Sequence, residues 1–187
     1  TLFPYTTLFR SPATGQLRHR RLQRGERRVG AVALELARGL AEQDAVPAVT
    51  GDELVEIADT PLPHQIRRSN VFSLQALLLD RYRLDSQVFH FPDDRAALAA
   101  GLERIFAEFE LVVLSGAVSE GKFDFLPEVL ESLGVEKCFH KVSQRPGKPF
   151  WFGHLPGRAV VFALPGNPVS TFLCACRYVL PFLGLCS

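Results

Sequence analysis

Two short stretches of the sequence are apolar at every position: LVVL at residues 111–114 and AVVFAL at residues 159–164. A strand with one wet face alternates apolar and polar side chains, whereas a strand covered on both faces is apolar throughout. Such strands are typical of parallel sheets that lie between two layers of helices. The two stretches therefore predict an α/β protein with a three-layer, open, mostly parallel sheet and helices on both faces.

Helical patterns separate the predicted strands. Ser69 and Asn70 are favourable N-caps for a first helix, and Pro92 and Asp93 open a second. Pro168 begins the last helix at a first-turn position, where its missing N–H costs nothing. The predicted inward face of that last helix is apolar and consists of Val169, Phe172, Leu173, Cys176, Val179, Leu180 and Leu183.

The chain changes character near residue 46, so we expect an atypical N-terminal segment (1–45) and an α/β domain (46–187). Residues 17–28 read LRHRRLQRGERR, with six arginines and little periodicity. A nucleic-acid or acidic-membrane arm is one interpretation; a solvated or disordered segment is the one we favour. Because the composition contains no methionine, a fragment, or a sequence joined from unrelated pieces, is a third interpretation.

Bulk properties argue against several classes of function. The net charge of +1 gives no basis for nucleic-acid binding, so affinity for anions must come from a local arrangement. No apolar run is long enough for a bilayer, and the first residues lack the order of a secretory signal. The four cysteines form no CxxC pair, which favours buried thiols in a reducing cytoplasm.

Polar, glycine-containing loops follow the predicted strands, at the edge of the sheet where such folds bind ligands. In the first, TGDE, Thr50 and Gly51 precede two carboxylates, Asp52 and Glu53. These oxygens suit Mg²⁺ or a ribose hydroxyl. A helix cap followed by a first-turn acid is the alternative.

The second loop, SGAVSEGKFDF, spans residues 115–125 directly after LVVL. Its hydroxyls at Ser115 and Ser119, with Gly116 and free backbone N–H groups, can cradle a phosphate. Asp124 stands just before a helix. It either caps that helix or holds a metal.

The third loop, KVSQRPGKPFWFG at residues 141–153, brings together Lys141, Arg145 and Lys148. Gly147 and the flanking prolines stiffen the backbone between these cations. Surface lysines usually point to water, but oxyanion recognition needs fixed positive charge. The rigid turn therefore favours an oxyanion site.

The fourth loop, LPGNPVS at residues 164–170, joins AVVFAL to the last helix. Helix N-termini attract anions, although a plain strand-to-helix connection is the alternative. Near it we expect a contribution from PDD at 92–94, where one aspartate caps a helix and the other approaches the same crevice. The candidate residues in LPGNPVS are Pro165, Gly166, Asn167, Pro168 and Ser170.

In this order the strings resemble the molybdopterin-binding domain of the molybdopterin molybdenumtransferase family, which includes the bacterial MoeA-type proteins and the gephyrin E domain. The resemblance covers residues 49–184 through TGDELVE, QIRRSN, FPDD, LSGAVSEGKFDF, RPGKP and ALPGNPVS. It implies insertion of molybdate into adenylylated molybdopterin with release of AMP, assisted by Mg²⁺. It also implies a cytoplasmic homodimer in the full-length family, with neither nucleic acid nor membrane as a partner. A molybdopterin adenylyltransferase using ATP, or a non-catalytic pterin-binding scaffold, are the alternatives.

The resemblance also suggests residue roles. Glu53, Asp94 and Asp124 would bind Mg²⁺ or position water, and Lys141 joins them as a catalytic candidate. Arg145 and Lys148 would hold phosphate or molybdate. The remaining residues expected to bind substrate are Thr50, Gly51, Asp52, Ser69, Asn70, Ser115, Gly116, Ser119, Gly147, Pro165, Gly166, Asn167, Pro168 and Ser170.

The chain departs from the family pattern at several points. Ala117 replaces a second glycine, while Glu120 and Phe125 replace the usual valine and tyrosine. Pro47 interrupts the strand before TGDE, and proline is uncommon in a central strand because it cannot donate to the ladder. The family's N-terminal and small C-terminal domains are absent from this sequence, so we expect the chain alone to lack full activity.

Overall fold

The computed structural model describes residues 6–10, 17–21, 45–118 and 125–186. Strands β1 (Thr6–Arg10) and β2 (Leu17–Arg21) pair antiparallel as a separate ribbon. The first five residues of the arginine-rich stretch are therefore β-strand. Its other arginines lie outside the described residues.

A six-stranded sheet forms the centre of the domain, in the order β6, β3, β7, β10, β9, β8. The first four strands run parallel, whereas β9 is antiparallel to both of its neighbours. The prediction of an open, mostly parallel sheet is thus confirmed. The strands are β3 (Ala45–Thr50), β6 (Phe89–Phe91), β7 (Leu111–Ser115), β8 (Glu136–His140), β9 (Trp151–Leu155) and β10 (Ala159–Leu164); β4 (Leu54–Val55) and β5 (Ile66–Arg67) form a small separate pair.

Helices cover both faces of the sheet, as the apolar strands predicted. Successive residues of β7 point to opposite sides: Val112 and Leu114 join one buried cluster, and Leu111 and Val113 join another. The first cluster is completed by α2 (Arg95–Glu108) and α3 (Leu126–Ser132). The second is completed by α1 (Ser69–Tyr82) and by the last helix, which consists of α4 (Pro168–Cys174), a π-helical turn (Ala175–Val179) and α5 (Leu180–Cys186).

Pro47 lies inside β3, which is buried along its whole length. The register explains why the strand accepts it. Pro47 is paired with Val113 of β7, but β6 begins opposite Ala48. On the β6 side Pro47 therefore has no partner residue, so proline occupies a locally edge-like position of a central strand. The expectation that proline would disturb this strand is wrong.

The predicted inward face of the last helix is wrong in its first two turns. Val169, Phe172 and Leu173 are exposed, at 67%, 47% and 37%. Ser170, Thr171 and Cys174 are buried instead. The π-helical turn has more residues per turn than an α-helix and so changes the direction in which the later side chains point. Val179 and Leu183 therefore face the core as expected.

Three of the cysteines, Cys138, Cys174 and Cys176, are free thiols. Burial raises the pKa of the Cys174 thiol to about 11, which keeps it protonated at neutral pH. Within the described part of the chain, no helix combines the length and apolar character needed to cross a membrane.

Gly153, in the middle of β9, is a sharp test of the packing between β8 and β9. A Cβ there would lie 2.6 Å from the backbone oxygen of Glu136 and 2.4 Å from the Trp151 ring. We expect Gly153→Ala to lower the free energy of unfolding by about 3 kcal/mol, since neither group can move without disturbing the sheet. Denaturant unfolding measures this.

Gly157→Ala is the control. Its Cβ would meet nothing within 4 Å, so only the backbone strain of its φ of +67° remains, worth about 1 kcal/mol. Equal losses in the two variants would contradict the packing argument.

Candidate functional site

A cleft lies at the carboxyl ends of β3, β7 and β10, where open α/β sheets bind ligands. We call it the strand-end cleft. Four of the strings singled out in the sequence, TGDE, QIRRSN, SGA and PGNP, meet there. Its lining consists of Val49, Thr50, Gly51, Glu53, Leu54, Ile66, Arg67, Arg68, Ser69, Asn70, Asp93, Ser115, Gly116, Ala117, Gly166 and Pro168.

Asn70 holds three of these segments together. Its side-chain amide donates to Ser115 Oγ at 2.9 Å and to the backbone oxygen of Gly166 at 2.8 Å. The start of α1 is thereby joined to the end of β7 and to the β10–α4 loop. The prediction that Ser69 and Asn70 are N-caps is wrong: α1 begins at Ser69, and its N-cap residue, Arg68, makes no side-chain capping bond.

The floor of the cleft brings β3 and the loop after β7 into close contact. Gly116 has a φ of +98°, and a Cβ there would lie 3.2 Å from both oxygens of Thr50. Glycine is therefore required on steric and conformational grounds. Thr50 is 7% exposed, and its hydroxyl has no hydrogen-bond partner.

Ala117 follows Gly116 with a φ of +52°, a left-handed conformation that is unfavourable for alanine. The family's glycine at this position would adopt it without strain. The alanine side chain also adds bulk to the cleft wall. The departure from the family pattern thus has a visible structural cost.

The TGDE loop is tied to the loop after β6. Asp93 N–H donates to Asp52 Oδ1 at 3.0 Å, and Asp52 N–H donates to Asp93 Oδ2 at 3.4 Å. His90 Nε2 lies 2.9 Å from the backbone oxygen of Gly51. This leaves Glu53 as the carboxylate of TGDE that lines the cleft.

Of the two aspartates in PDD, Asp93 lines the cleft, whereas Asp94 caps α2. The Asp94 carboxylate accepts from Ala97 N–H at 2.7 Å. The sequence pattern correctly predicted one cap and one cleft residue, but the prediction that Asp94 is the cleft residue is wrong. Ser119, Glu120 and Asp124 lie outside the described residues, so their predicted roles remain predictions.

Two arginines that the sequence analysis left out of the site, Arg67 and Arg68, bring positive charge to the cleft. Arg67 is exposed and donates through Nε to the backbone oxygen of Ile57 at 2.9 Å. Arg68 is largely buried and forms an ion pair with Glu56. Their position directly before α1 was the available signal.

Side-chain hydrogen bonds of Asn167 and Thr171 stabilise the start of α4. Asn167 Oδ1 accepts from Ser170 N–H at 3.2 Å, and the buried Ser170 hydroxyl lies 3.4 Å from the same oxygen. Thr171 Oγ1 donates to the backbone oxygen of Pro165 at 2.5 Å. Of the residues predicted for the site in this loop, Gly166 and Pro168 line the cleft, whereas Pro165, Asn167 and Ser170 do not.

Residues 141–149, which we call the cation turn, do not line the cleft. The turn joins β8 to β9 at the same edge of the sheet, because β8 runs parallel to β10. Since β8 lies two strands from β10, the turn lies about 10 Å from the β10 end of the cleft. Arg145 and Lys148 are exposed on it, Gly147 is buried, and Lys141 is exposed with a φ of +70°.

Among residues 45–118 and 125–186, no three His, Cys, Asp or Glu side chains converge as metal ligands. The arrangement instead resembles an anion site: cations, hydroxyls and helix starts around a cleft with acids at one rim. Such a site can position a polyanion and stabilise charge that develops on it.

Comparison with known proteins agrees with this geometry. Residues 48–184 match the family model described as "Probable molybdopterin binding domain". The chain belongs to this molybdopterin-binding domain family. The predicted resemblance is thereby confirmed for most of the domain.

Curated relatives with the same domain are named molybdopterin molybdenumtransferase. That of Synechocystis is 44% identical over 132 residues, covering 70% of this chain and 34% of the relative. That of Haemophilus influenzae is 37% identical over 135 residues, covering 72% and 33%. The chain thus spans about a third of the length of these relatives.

Solved structures show the same fold. The molybdopterin biosynthesis MoeA protein of Pyrococcus horikoshii matches with a TM-score of 0.64 and 28% identity, over 78% of this chain and 37% of that one. The CinA protein of Thermoplasma acidophilum matches with a TM-score of 0.55 and 15% identity, over 75% of this chain and 98% of that one. The second likeness concerns the fold alone.

Asn70 provides a test of how the cleft is held together. We expect Asn70→Ala to lower the free energy of unfolding by about 1–3 kcal/mol, because two acceptors lose their donor. Asn70→Asp should be more damaging, since it places a carboxylate against the backbone oxygen of Gly166. Denaturant unfolding compares the variants, and a milder effect of aspartate than of alanine would contradict the assignment of the amide as donor.

Proposed function

We propose that this chain is the molybdopterin-binding part of a molybdopterin molybdenumtransferase, which inserts molybdate into adenylylated molybdopterin and releases AMP. The observation that carries the proposal is the meeting of TGDE, QIRRSN, SGA and PGNP in one cleft. The names of the relatives support it. The chemistry fits as well, because the substrate carries a phosphate and a pyrophosphate.

The strand-end cleft would bind the phosphorylated pterin. Arg67 offers positive charge that its hydrogen bond to Ile57 holds in place, and Arg68, although paired with Glu56, adds a second guanidinium. Ser69 and Ser115 line the same cleft. Breaking a phosphoanhydride requires positioning and charge stabilisation more than a strong nucleophile. These residues would supply both, with Glu53 on the rim positioning the attacking oxygen.

The cation turn would hold the other end of the substrate or the incoming molybdate. Arg145 and Lys148 are exposed at the same edge of the sheet as the cleft. Their displacement of about 10 Å, two strand spacings, suits a substrate with anionic groups at separate places. Lys141 is the first residue of the turn and directly follows β8.

Mg²⁺ fits this cleft when shared with the substrate. In phosphate sites Mg²⁺ takes one or two carboxylates together with phosphate oxygens, so a protein-only cage is not required. Glu53 and Asp93 are the lining carboxylates, and the Thr50 hydroxyl beside them lacks a partner. When bound, the ion would neutralise charge on the phosphate oxygens.

We also propose a homodimer for the full-length protein and a cytoplasmic location. The exposed Val169, Phe172 and Leu173 on α4 support an interface, because they form a run at helical spacing on one face. The free thiols support a reducing compartment.

The direct test uses the purified full-length protein of which this chain is the proposed molybdopterin-binding part, with adenylylated molybdopterin, Mg²⁺ and molybdate, and AMP is measured by chromatography. We expect binding of the pterin nucleotide and AMP release that depends on both molybdate and Mg²⁺. Binding without AMP release would point to a binding module. Absence of binding would overturn the proposal, and adenylylation of molybdopterin by ATP would replace it with an adenylyltransferase.

Arg67→Gln tests the role of the cleft cations. We expect the Kd of the pterin nucleotide to rise about tenfold, since a hydrogen bond to a charged group contributes about 1.5–3 kcal/mol. The effect should shrink as salt is added. Arg81→Gln is the matched control, because Arg81 is an exposed arginine of α1 whose ion pair is with its neighbour Asp80. Equal changes in the two variants would argue against a specific anion site.

A further inference from the structure

The cation turn is held by a side-chain network that reaches it from the last helix. Gln144 is at its centre: its Oε1 accepts from the Tyr178 hydroxyl at 2.8 Å, and its Nε2 donates to the backbone oxygen of Pro146 at 2.8 Å. The side chain thus uses both ends of its amide. It connects a helix to the backbone between the two exposed cations, Arg145 and Lys148.

A second contact fixes the same stretch of backbone. Cys174 Sγ lies 3.8 Å from the backbone oxygen of Gly147 and 3.7 Å from Gln144 Nε2. The contact is close-packed, because a Cβ on Gly147 would lie 2.6 Å from Cys174 Sγ and 2.6 Å from Gln144 Nε2. Gly147 is also at a φ of +103°, so this position requires glycine on both counts.

The helix side of the network is itself immobilised. The Tyr178 ring stacks on Phe150 with 4.5 Å between ring centroids. Phe150 is fully buried and directly follows the turn. Its carbonyl accepts from Lys141 N–H at 2.7 Å. Lys148 O accepts from Val142 N–H at 3.0 Å, which closes the turn across its width.

We infer that Gln144, anchored by Tyr178, is the positioning residue that sets the direction of Arg145 and Lys148 for anion binding. The inference rests on the proposed function, in which these cations hold phosphate or molybdate. A cation on a mobile loop loses conformational freedom when it binds an anion, whereas a cation on a fixed loop does not. Gln144 does not contact the anion in this account; it acts through the backbone at Pro146.

Two variants separate the parts of the network. Gln144→Met keeps the length of the side chain and loses both hydrogen bonds. Tyr178→Phe keeps the stacking on Phe150 and removes only the hydroxyl. Gln75→Met is the matched control, because Gln75 also donates from its side-chain amide to a backbone oxygen, that of Ser86, away from the turn.

Two measurements are made on the full chain: hydrogen exchange of the Val142 amide in the free protein, and the Kd of molybdate alone by calorimetry. In Gln144→Met we expect faster exchange at Val142 and a Kd raised about fivefold to tenfold, the loss of about 1 kcal/mol or slightly more. Tyr178→Phe should show smaller changes in the same direction. Gln75→Met should leave both quantities at their wild-type values.

The outcomes are distinguishable from failure of the proposed function. Unchanged exchange in Gln144→Met would overturn the claim that Gln144 holds the turn, whatever the protein binds. Faster exchange with an unchanged Kd would make the residue structural and overturn its positioning role. If the wild-type chain binds no molybdate, the anion-binding role of the turn is wrong, while the exchange data still decide whether Gln144 fixes it.

Discussion

The register of three parallel strands determines where every loop of the cleft can lie. Ser115 of β7 is paired with Val49 of β3 on one side and with Leu164 of β10 on the other. The three strands therefore end in one row, and the residues that follow these positions, Thr50, Gly116 and Pro165, lie at the same edge of the sheet. A slip of one residue would turn each strand over and place its core side chains on the wrong face. Burial on both faces makes such a slip costly.

This arrangement divides the work between backbone and side chains. At the cleft, strand ends fix the TGDE and SGA loops, and Asn70 adds one joint between three segments. Two of the acids are occupied by hydrogen bonds: Asp94 caps a helix, and Asp52 accepts from the neighbouring loop. Glu53 is left at the rim beside the arginines. A polyanion with a shared cation suits this distribution better than a neutral ligand does.

The sequence predicted the sheet and its two helical layers well, because residues 111–114 and 159–164 are uniformly apolar, which indicates that their strands are buried on both faces. It failed where tertiary contacts choose between equivalent residues. The local sequence does not distinguish Asp93 from Asp94. Asn70 donates to Ser115 and Gly166 instead of capping α1, and both of these partners are distant in the sequence. The last helix shows the same limit, since its π-helical turn changes which side chains face the sheet, and the apolar periodicity of the sequence does not indicate such a turn.

The two halves of the proposed site also differ in how they tolerate change. The cleft loops are positioned mainly by backbone hydrogen bonds between buried strands, to which Asn70 adds a side-chain joint. The cation turn follows β8, which is the edge strand of the sheet among the described residues, and its shape depends on Gln144, Gly147 and the helix residues behind them. Anion binding at the turn should therefore be the more fragile of the two functions. Variation in the last helix, far along the chain from the cations, can alter it without touching the cleft.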